Sequence, residues 1–362
     1  MSRLVINGTK RLKGSARVQG SKNSALPILA AAILCRGESV IHNCPELSDV
    51  RGTINILRYL GCDVSFSGGT LVCDSSGLTK NHIPNSLMRE MRSSIIFLGA
   101  LLARTGSASM CFPGGCEIGP RPIDLHLKAL EALGAEICDL ADFLNGCGAD
   151  ISGAGDSTIV IEGKSSLRGC CHTIIPDRIA AATLLSCCAA TGGRVTLTSA
   201  IPSHLGAVLS ILEECGCDVD IMGGCVTLDA PNRLCAPKVV RTMPYPGFPT
   251  DAQAPVMAMA AKSRGTTLFI ENIFENRYLH VSGLLRMGAN IKVEGRVAVL
   301  QGARCLHGAD VAAMDLRGAA ALITAALGAQ GRTTLEGLRY LDRGYECLEA
   351  TLSELGADVK RI

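Results

Sequence analysis

Hydrophobic and polar positions along this chain follow two alternating periods. The stretches Ser24 to Leu34, Ser93 to Ala103, Arg178 to Ala190, Asp251 to Lys262 and Gly318 to Ala329 are small and apolar on nearly every side. That pattern predicts small-residue apolar helices. Each is followed by a glycine-containing break or short linker and a β-branched run: Glu38 to Ile41, Ser107 to Cys111, Arg194 to Leu197, Thr266 to Ile270 and Arg332 to Leu335. These runs read as strands.

A shorter element recurs between them: an apolar end, Gly, a small residue or Cys, an acid or amide, then Ile or Val. It occurs at Leu60-Gly61-Cys62-Asp63-Val64, Leu133-Gly134-Ala135-Glu136-Ile137, Cys147-Gly148-Ala149-Asp150-Ile151, Cys215-Gly216-Cys217-Asp218-Val219, Met287-Gly288-Ala289-Asn290-Ile291 and Leu355-Gly356-Ala357-Asp358-Val359. Each copy is expected to end a helix and open a strand. The glycines are spaced 73, 14, 68, 72 and 68 apart, so a period near seventy holds except between Gly134 and Gly148. No small-residue helix pattern lies in that interval. The chain is therefore read as a repeat with one unit largely missing.

A strand-and-turn pattern ending in Gly or Ala follows as a third element at Val160 to Gly169, Val226 to Ala236 and Val299 to Gly308. Another copy, Leu4 to Gly14, opens the chain with no unit in front of it, so the amino-terminal strand is expected to complete the last unit. Strands alternating with helices at this spacing predict an α/β fold. We place one domain at 22–175 and a discontinuous one at 1–21 and 176–362.

Composition narrows the function. A chain of 362 residues, 48% hydrophobic, can bury two cores. Its longest apolar stretch, Ala25 to Cys35, is far short of the ~20 residues of a membrane span. The first twenty residues hold no signal-peptide block, so a cytoplasmic protein without membrane attachment is expected. Eighteen cysteines are scattered without any CxxC pair, which reads as core thiols rather than disulfides or a metal site. Net charge +2 and 3% aromatics argue against nucleic acid as a partner.

Candidate chemistry sits at turns. Cys116 lies in Pro113-Gly114-Gly115-Cys116, followed by Gly119-Pro120-Arg121-Pro122, an exposed setting beside a cation that suits a reactive thiol. Charged residues gather near the starts of the small-residue helices: Lys22 with Asn23, Arg92, Asp251, and Asp315 with Arg317. Lys22, Arg92, Arg317 and the later Arg343 would suit an anionic substrate if the repeats pack symmetrically. Asp251 follows a proline-rich approach, where helix capping is the alternative role.

Read together, Ser21-Lys22-Asn23-Ser24-Ala25-Leu26, Met91-Arg92-Ser93-Ser94, the stretch Pro113 to His126, Phe248-Pro249-Thr250-Asp251, Phe274-Glu275-Asn276-Arg277, Asp315-Leu316-Arg317 and Asp342-Arg343-Gly344-Tyr345-Glu346 resemble the UDP-N-acetylglucosamine 1-carboxyvinyltransferase family. The resemblance covers nearly the whole chain. It implies an inside-out α/β barrel of repeated βαβαββ-type units, in two domains around a cleft. It also implies transfer of the enolpyruvyl group of phosphoenolpyruvate to the 3-hydroxyl of UDP-N-acetylglucosamine with release of phosphate. No metal or organic cofactor is implied.

By the same resemblance Cys116 is the proton donor, able to bond to phosphoenolpyruvate, and Asp251 is the base at the sugar hydroxyl. Lys22, Arg121 and Arg343 hold the phosphoenolpyruvate anion. Asn23 and Arg92 line the site, Asp315 and Arg317 form its charged wall, and Arg277 belongs to the substrate-binding set. Arg121, Pro122, Ile123, Asp124, Leu125, Asp251 and Ile273 contact the UDP-sugar. Two departures stand out: a family segment for uridine and diphosphate falls in the gap, and Ala180 stands where the family has Glu. They leave open an impaired or regulatory homologue, or a different acceptor.

Overall fold

A computed structural model of the protein describes residues 2–90, 92–110, 134–155 and 159–362. The chain divides into two compact units: among the described residues, 19–177 form one and 2–18 with 178–362 the other.

The unit of residues 19–177 is built on α1 (Lys22–Ala31), α2 (Ser48–Leu60), α3 (Phe97–Thr105) and α4 (Gly134–Gly146). Its one four-stranded sheet has the order Cys171–Thr173, Glu38–His42, Thr70–Asp74, Asp63–Ser67, with the first pair parallel and the rest antiparallel. Three two-stranded pairs accompany it: His82–Ile83 with Ser109–Met110 and Leu167–Arg168 with Cys35–Arg36, both parallel, and Asp150–Ser152 with Val160–Glu162, antiparallel. α1 packs against α2, α3 and α4, and Ile28, Leu29, Ile56, Leu57, Phe97 and Phe143 are wholly buried between them.

The other unit repeats the same sheet three times. The orders are Lys13–Arg17, Arg194–Thr198, Cys225–Asp229, Asp218–Met222; then Val239–Arg241, Thr266–Ile270, Val297–Gln301, Asn290–Glu294; then Asp310–Ala312, Arg332–Glu336, Leu4–Asn7, Asp358–Arg361. Every copy has the same parallel first pair and antiparallel remainder. Leu4–Asn7 sits between Arg332–Glu336 and Asp358–Arg361, so the start of the chain fills the third strand of the last sheet.

Three small-residue helices, α5 (Arg178–Thr191), α6 (Thr250–Ala260) and α7 (Leu316–Gly328), pack on one another in this unit. Nearly every residue of each is buried. Ala180 to Ala182, Ala252, Ala254 and Ala319 to Ala321 put little bulk between the axes, which lets three helices share one core. Ala180 is 4% exposed and belongs to that core. Cys187, Cys188, Cys215 and Cys217 are also core residues, and burial pushes each thiol up to about 12.

The recurrent glycine does the same work five times. Gly61, Gly148, Gly216, Gly288 and Gly356 follow helices and take φ between 88° and 104°, the left-handed turn that glycine adopts without a Cβ clash. Each is followed by a strand. Gly134 is a correction: it opens no strand and lies at the start of α4. Leu140, Phe143, Leu144 and Cys147, at helical spacing, hold α4 against the core, and that longer-range burial overrides the local motif.

No helix among the described residues is long and apolar enough to cross a membrane.

Candidate active site

Two charged clusters carry the residues singled out in sequence, one in each unit. In the unit of 19–177, Ser21 caps α1 by accepting from the Ser24 amide. This leaves Lys22 and Asn23 in the first turn. A cation there opposes the helix dipole, and it is held by a carboxylate: Lys22 Nζ lies 2.9 Å from Asp49 Oδ2, with the Lys22 and Asp49 side chains 11% and 3% exposed. The Asp177 carboxylate accepts from the Lys22 backbone amide at 3.3 Å. Asn23 is half-buried, and Arg92 opens a 3₁₀ turn, Arg92–Ile96.

The same unit holds a buried carboxylate that sequence reasoning missed. Asp139 on α4 accepts from the Ser24 hydroxyl, from the Ile175 amide at 3.3 Å, and pairs with His172 Nε2 at 2.8 Å. It ties α4 to α1 directly behind Lys22 and Asn23.

In the other unit Asp251 stands in the first turn of α6, whose N-cap position is Pro249 with no side-chain cap. Arg277 Nη2 reaches Asp251 Oδ1 at 2.5 Å and Arg317 Nη2 reaches Oδ2 at 2.9 Å. Both arginine side chains are 4% exposed against 27% for Asp251, so two desolvated guanidinium groups orient one partly open carboxylate.

Each arginine is in turn located by its neighbours. Asp315 is the cap of α7, accepting from the Arg317 and Gly318 amides, both at 2.9 Å. Arg317 Nη1 donates to the Tyr345 hydroxyl at 3.2 Å, which lies 2.9 Å from Thr183 Oγ1 on α5. Arg277 also donates to the Thr250 carbonyl at 3.2 Å. His280 is buried beside this group, and burial pushes its imidazole down to about 4, with Asp315 opposing and Arg277 adding to the shift.

Arg343 is half-buried in the turn after the short helix Leu338–Leu341, and Ile273 lies just past the strand Thr266–Ile270. The structure thus brings Asp251, Arg277, Arg317 and Asp315 together in one unit and pairs Lys22 with Asp49 in the other. Cys116, Arg121, Pro122, Ile123, Asp124 and Leu125 lie outside the described residues. Among the described residues no group of three or more His, Cys, Asp or Glu side chains is placed to hold a metal ion.

Asp49, Asp139, Glu271 and His280 escaped sequence reasoning. Asp49 had one signal, an acid in the first turn of a helix, which ordinarily reads as a dipole partner. Glu271 follows a β-branched run with no signal beyond its charge.

Comparison with known proteins gives a consistent likeness. A family model described as EPSP synthase (3-phosphoshikimate 1-carboxyvinyltransferase) matches residues 6–138 and 136–352. The UDP-N-acetylglucosamine 1-carboxyvinyltransferase 2 of Caldanaerobacter subterraneus subsp. tengcongensis is 45% identical over 416 aligned positions, covering 100% of this chain and 100% of the relative. The UDP-N-acetylglucosamine 1-carboxyvinyltransferase of Myxococcus xanthus is 41% identical, over 100% of this chain and 99% of its own length. Among solved structures, the enolpyruvyl transferase NikO from Streptomyces tendae matches with a TM-score of 0.86 at 26% identity, over 99% of this chain and 98% of that one. EPSP synthase from Acinetobacter baumannii shares the fold, with a TM-score of 0.68 at 18% identity and 99% of each chain covered.

Proposed function

Since the chain belongs to the enolpyruvyl transferase family, with UDP-N-acetylglucosamine 1-carboxyvinyltransferases as full-length relatives, we propose that it catalyses their reaction. It moves the enolpyruvyl group of phosphoenolpyruvate onto the 3-hydroxyl of UDP-N-acetylglucosamine and releases phosphate, in peptidoglycan synthesis and in the cytoplasm. The observation that carries this reading from the geometry is Asp251, a partly open carboxylate at a helix start gripped by two buried arginines.

The roles are those that the resemblance to the family assigns. The sugar oxygen bonds to C2 of phosphoenolpyruvate while its proton passes to Asp251, and Cys116 gives a proton to C3. The tetrahedral intermediate then loses the C3 proton and phosphate, restoring the double bond. Lys22, Arg121 and Arg343 hold the phosphate and carboxylate of the donor. Asn23, Arg92, Arg277, Asp315 and Arg317 shape the charged surroundings, and Arg121 through Leu125, Asp251 and Ile273 contact the acceptor. Arg317 and Arg277 keep Asp251 in one orientation, a positioning that costs no reorganisation during reaction.

The domain plan and the shortened repeat form part of the proposal. We take 22–175 as one domain and 1–21 with 176–362 as the other, each an inside-out α/β barrel with helices within and sheets without. One unit is largely missing from the first. Two observations support this: the alignment to the Caldanaerobacter relative is 416 positions long for a chain of 362 residues, and the described part of the shorter unit has one four-stranded sheet and three two-stranded pairs, against three four-stranded sheets in the other.

Purified protein incubated with phosphoenolpyruvate, with and without UDP-N-acetylglucosamine, tests the reading by phosphate release and intact mass. Phosphate released only with both substrates is expected. No phosphate and no adduct at Cys116 would sink it, and phosphate with another acceptor alone would reassign the acceptor.

A further inference from the structure

The four complete sheets align on one hydrogen bond that closes each parallel pair. It runs from the Ile174, Val18, Thr242 and Ala313 amides to the His42, Thr198, Ile270 and Glu336 carbonyls, at 3.0, 3.0, 3.0 and 2.9 Å. The residue after the accepting carbonyl is Asn43, Ser199, Glu271 or Gly337. Asn43, Ser199 and Gly337 turn the chain with left-handed backbone, at φ of 54°, 53° and 81°. Such φ values are uncommon for residues other than glycine, so their return at equivalent positions marks the fold's own solution to this turn.

Glu271 departs from that solution. Its φ is not in the left-handed range, and its side chain, 1% exposed, makes the turn instead. Oε1 accepts from Thr242 Oγ1 at 3.0 Å and from the Ile273 and Phe274 amides at 2.8 and 3.0 Å. Oε2 accepts from Thr250 Oγ1 at 3.0 Å.

Burying a carboxylate is costly unless it is fully hydrogen-bonded. Three sister turns show that the fold does not require one here. What the carboxylate adds is a link: one group grips Thr250, the neighbour of Asp251, and the amide of Ile273 on the adjoining loop. Arg277 closes the same circuit through the Thr250 carbonyl and Asp251.

We infer that Glu271 is a positioning residue for the acceptor sugar, setting the spacing between Asp251 and Ile273. The inference rests on the transferase reading above, in which both residues meet UDP-N-acetylglucosamine. A residue serving only the turn would affect both substrates equally or neither.

The test uses full-length Glu271→Gln, Glu271→Ala and Thr250→Val proteins beside wild type. KM for each substrate, kcat, Tm and the affinity for UDP-N-acetylglucosamine by calorimetry are measured. Thr250→Val breaks the link while leaving Glu271 its other donors. Loss of one charge-assisted hydrogen bond is expected to raise KM and Kd for UDP-N-acetylglucosamine about tenfold. KM for phosphoenolpyruvate should stay within about twofold of wild type. Glu271→Gln should be milder than Glu271→Ala, because its amide oxygen still accepts from the donors at Oε1.

Equal rises in both KM values, or a lowered Tm with unchanged KM and Kd, would overturn the inference. Wild type that binds UDP-N-acetylglucosamine but releases no phosphate would refute the transferase reading alone, and the Kd comparison still judges Glu271. Wild type that does not bind this ligand would overturn both.

Discussion

Lys22 Nζ and Asp49 Oδ2 stand 2.9 Å apart with both side chains nearly excluded from water. The ammonium lies at a helix start, where its charge is unfavourable, so the pair is maintained by Asp49 rather than by the helix. A buried pair broken on one side strands a charge, whereas replacing both partners by apolar groups is often neutral.

Asp49→Ala is therefore expected to destabilise the protein by roughly 3 kcal/mol in urea unfolding. The double variant Lys22→Met with Asp49→Leu should recover most of that stability yet lose phosphoenolpyruvate binding. A double variant as unstable as the single one would contradict this account.

Arg317 spans Asp251 and Tyr345 with its two terminal nitrogens, a reach that a single ammonium does not have. Arg317→Lys should lower kcat by at least about tenfold, the equivalent of losing one charge-assisted bond in the transition state, although the charge is retained. Tyr345→Phe should cost roughly 3 kcal/mol of stability, because its hydroxyl bonds both the charged Arg317 and Thr183.

His280 supplies a pH signature. Its imidazole is pushed down to about 4 in the folded protein, against an ordinary value near 6.5 in the unfolded chain. Between those values the unfolded chain binds a proton that the native state does not, so stability is present above pH ~6.5 and falls toward pH ~4, by on the order of 3 kcal/mol. His280→Leu should flatten that slope in denaturation at stepped pH, and an unchanged slope would place the proton elsewhere.

Cys116→Ser is expected to abolish any covalent phosphoenolpyruvate adduct in intact-mass spectra and to lower turnover by about two orders of magnitude or more, the usual worth of a positioned proton donor. Full turnover in this variant would remove Cys116 from the mechanism.

Much of the architecture was legible because it is written in local terms. A buried helix reads as small and apolar all round, a half-buried strand alternates, and a left-handed turn asks for glycine. Five of the six motif glycines adopt that turn. Gly134 misled because its neighbours match the motif while Leu140 to Cys147 carry a helical face into the core, and burial of a whole face outweighs one turn signal. Asp251 and Arg317 were legible as charges at helix starts, whereas Glu271, Asp49 and Asp139 read in sequence like ordinary surface acids.

By itself, then, the sequence determined the recurring helix, turn and strand and the pairing of the first strand with the last sheet, since these follow from the patterning of short stretches. Tertiary structure alone decided which carboxylates are desolvated and what they hold. A charge in sequence carries no mark of its burial: Glu271 becomes a turn-former and Asp49 a counter-ion only when Thr250, Ile273 and Lys22 arrive beside them. The energy of a charge is set by those neighbours and by the water they exclude.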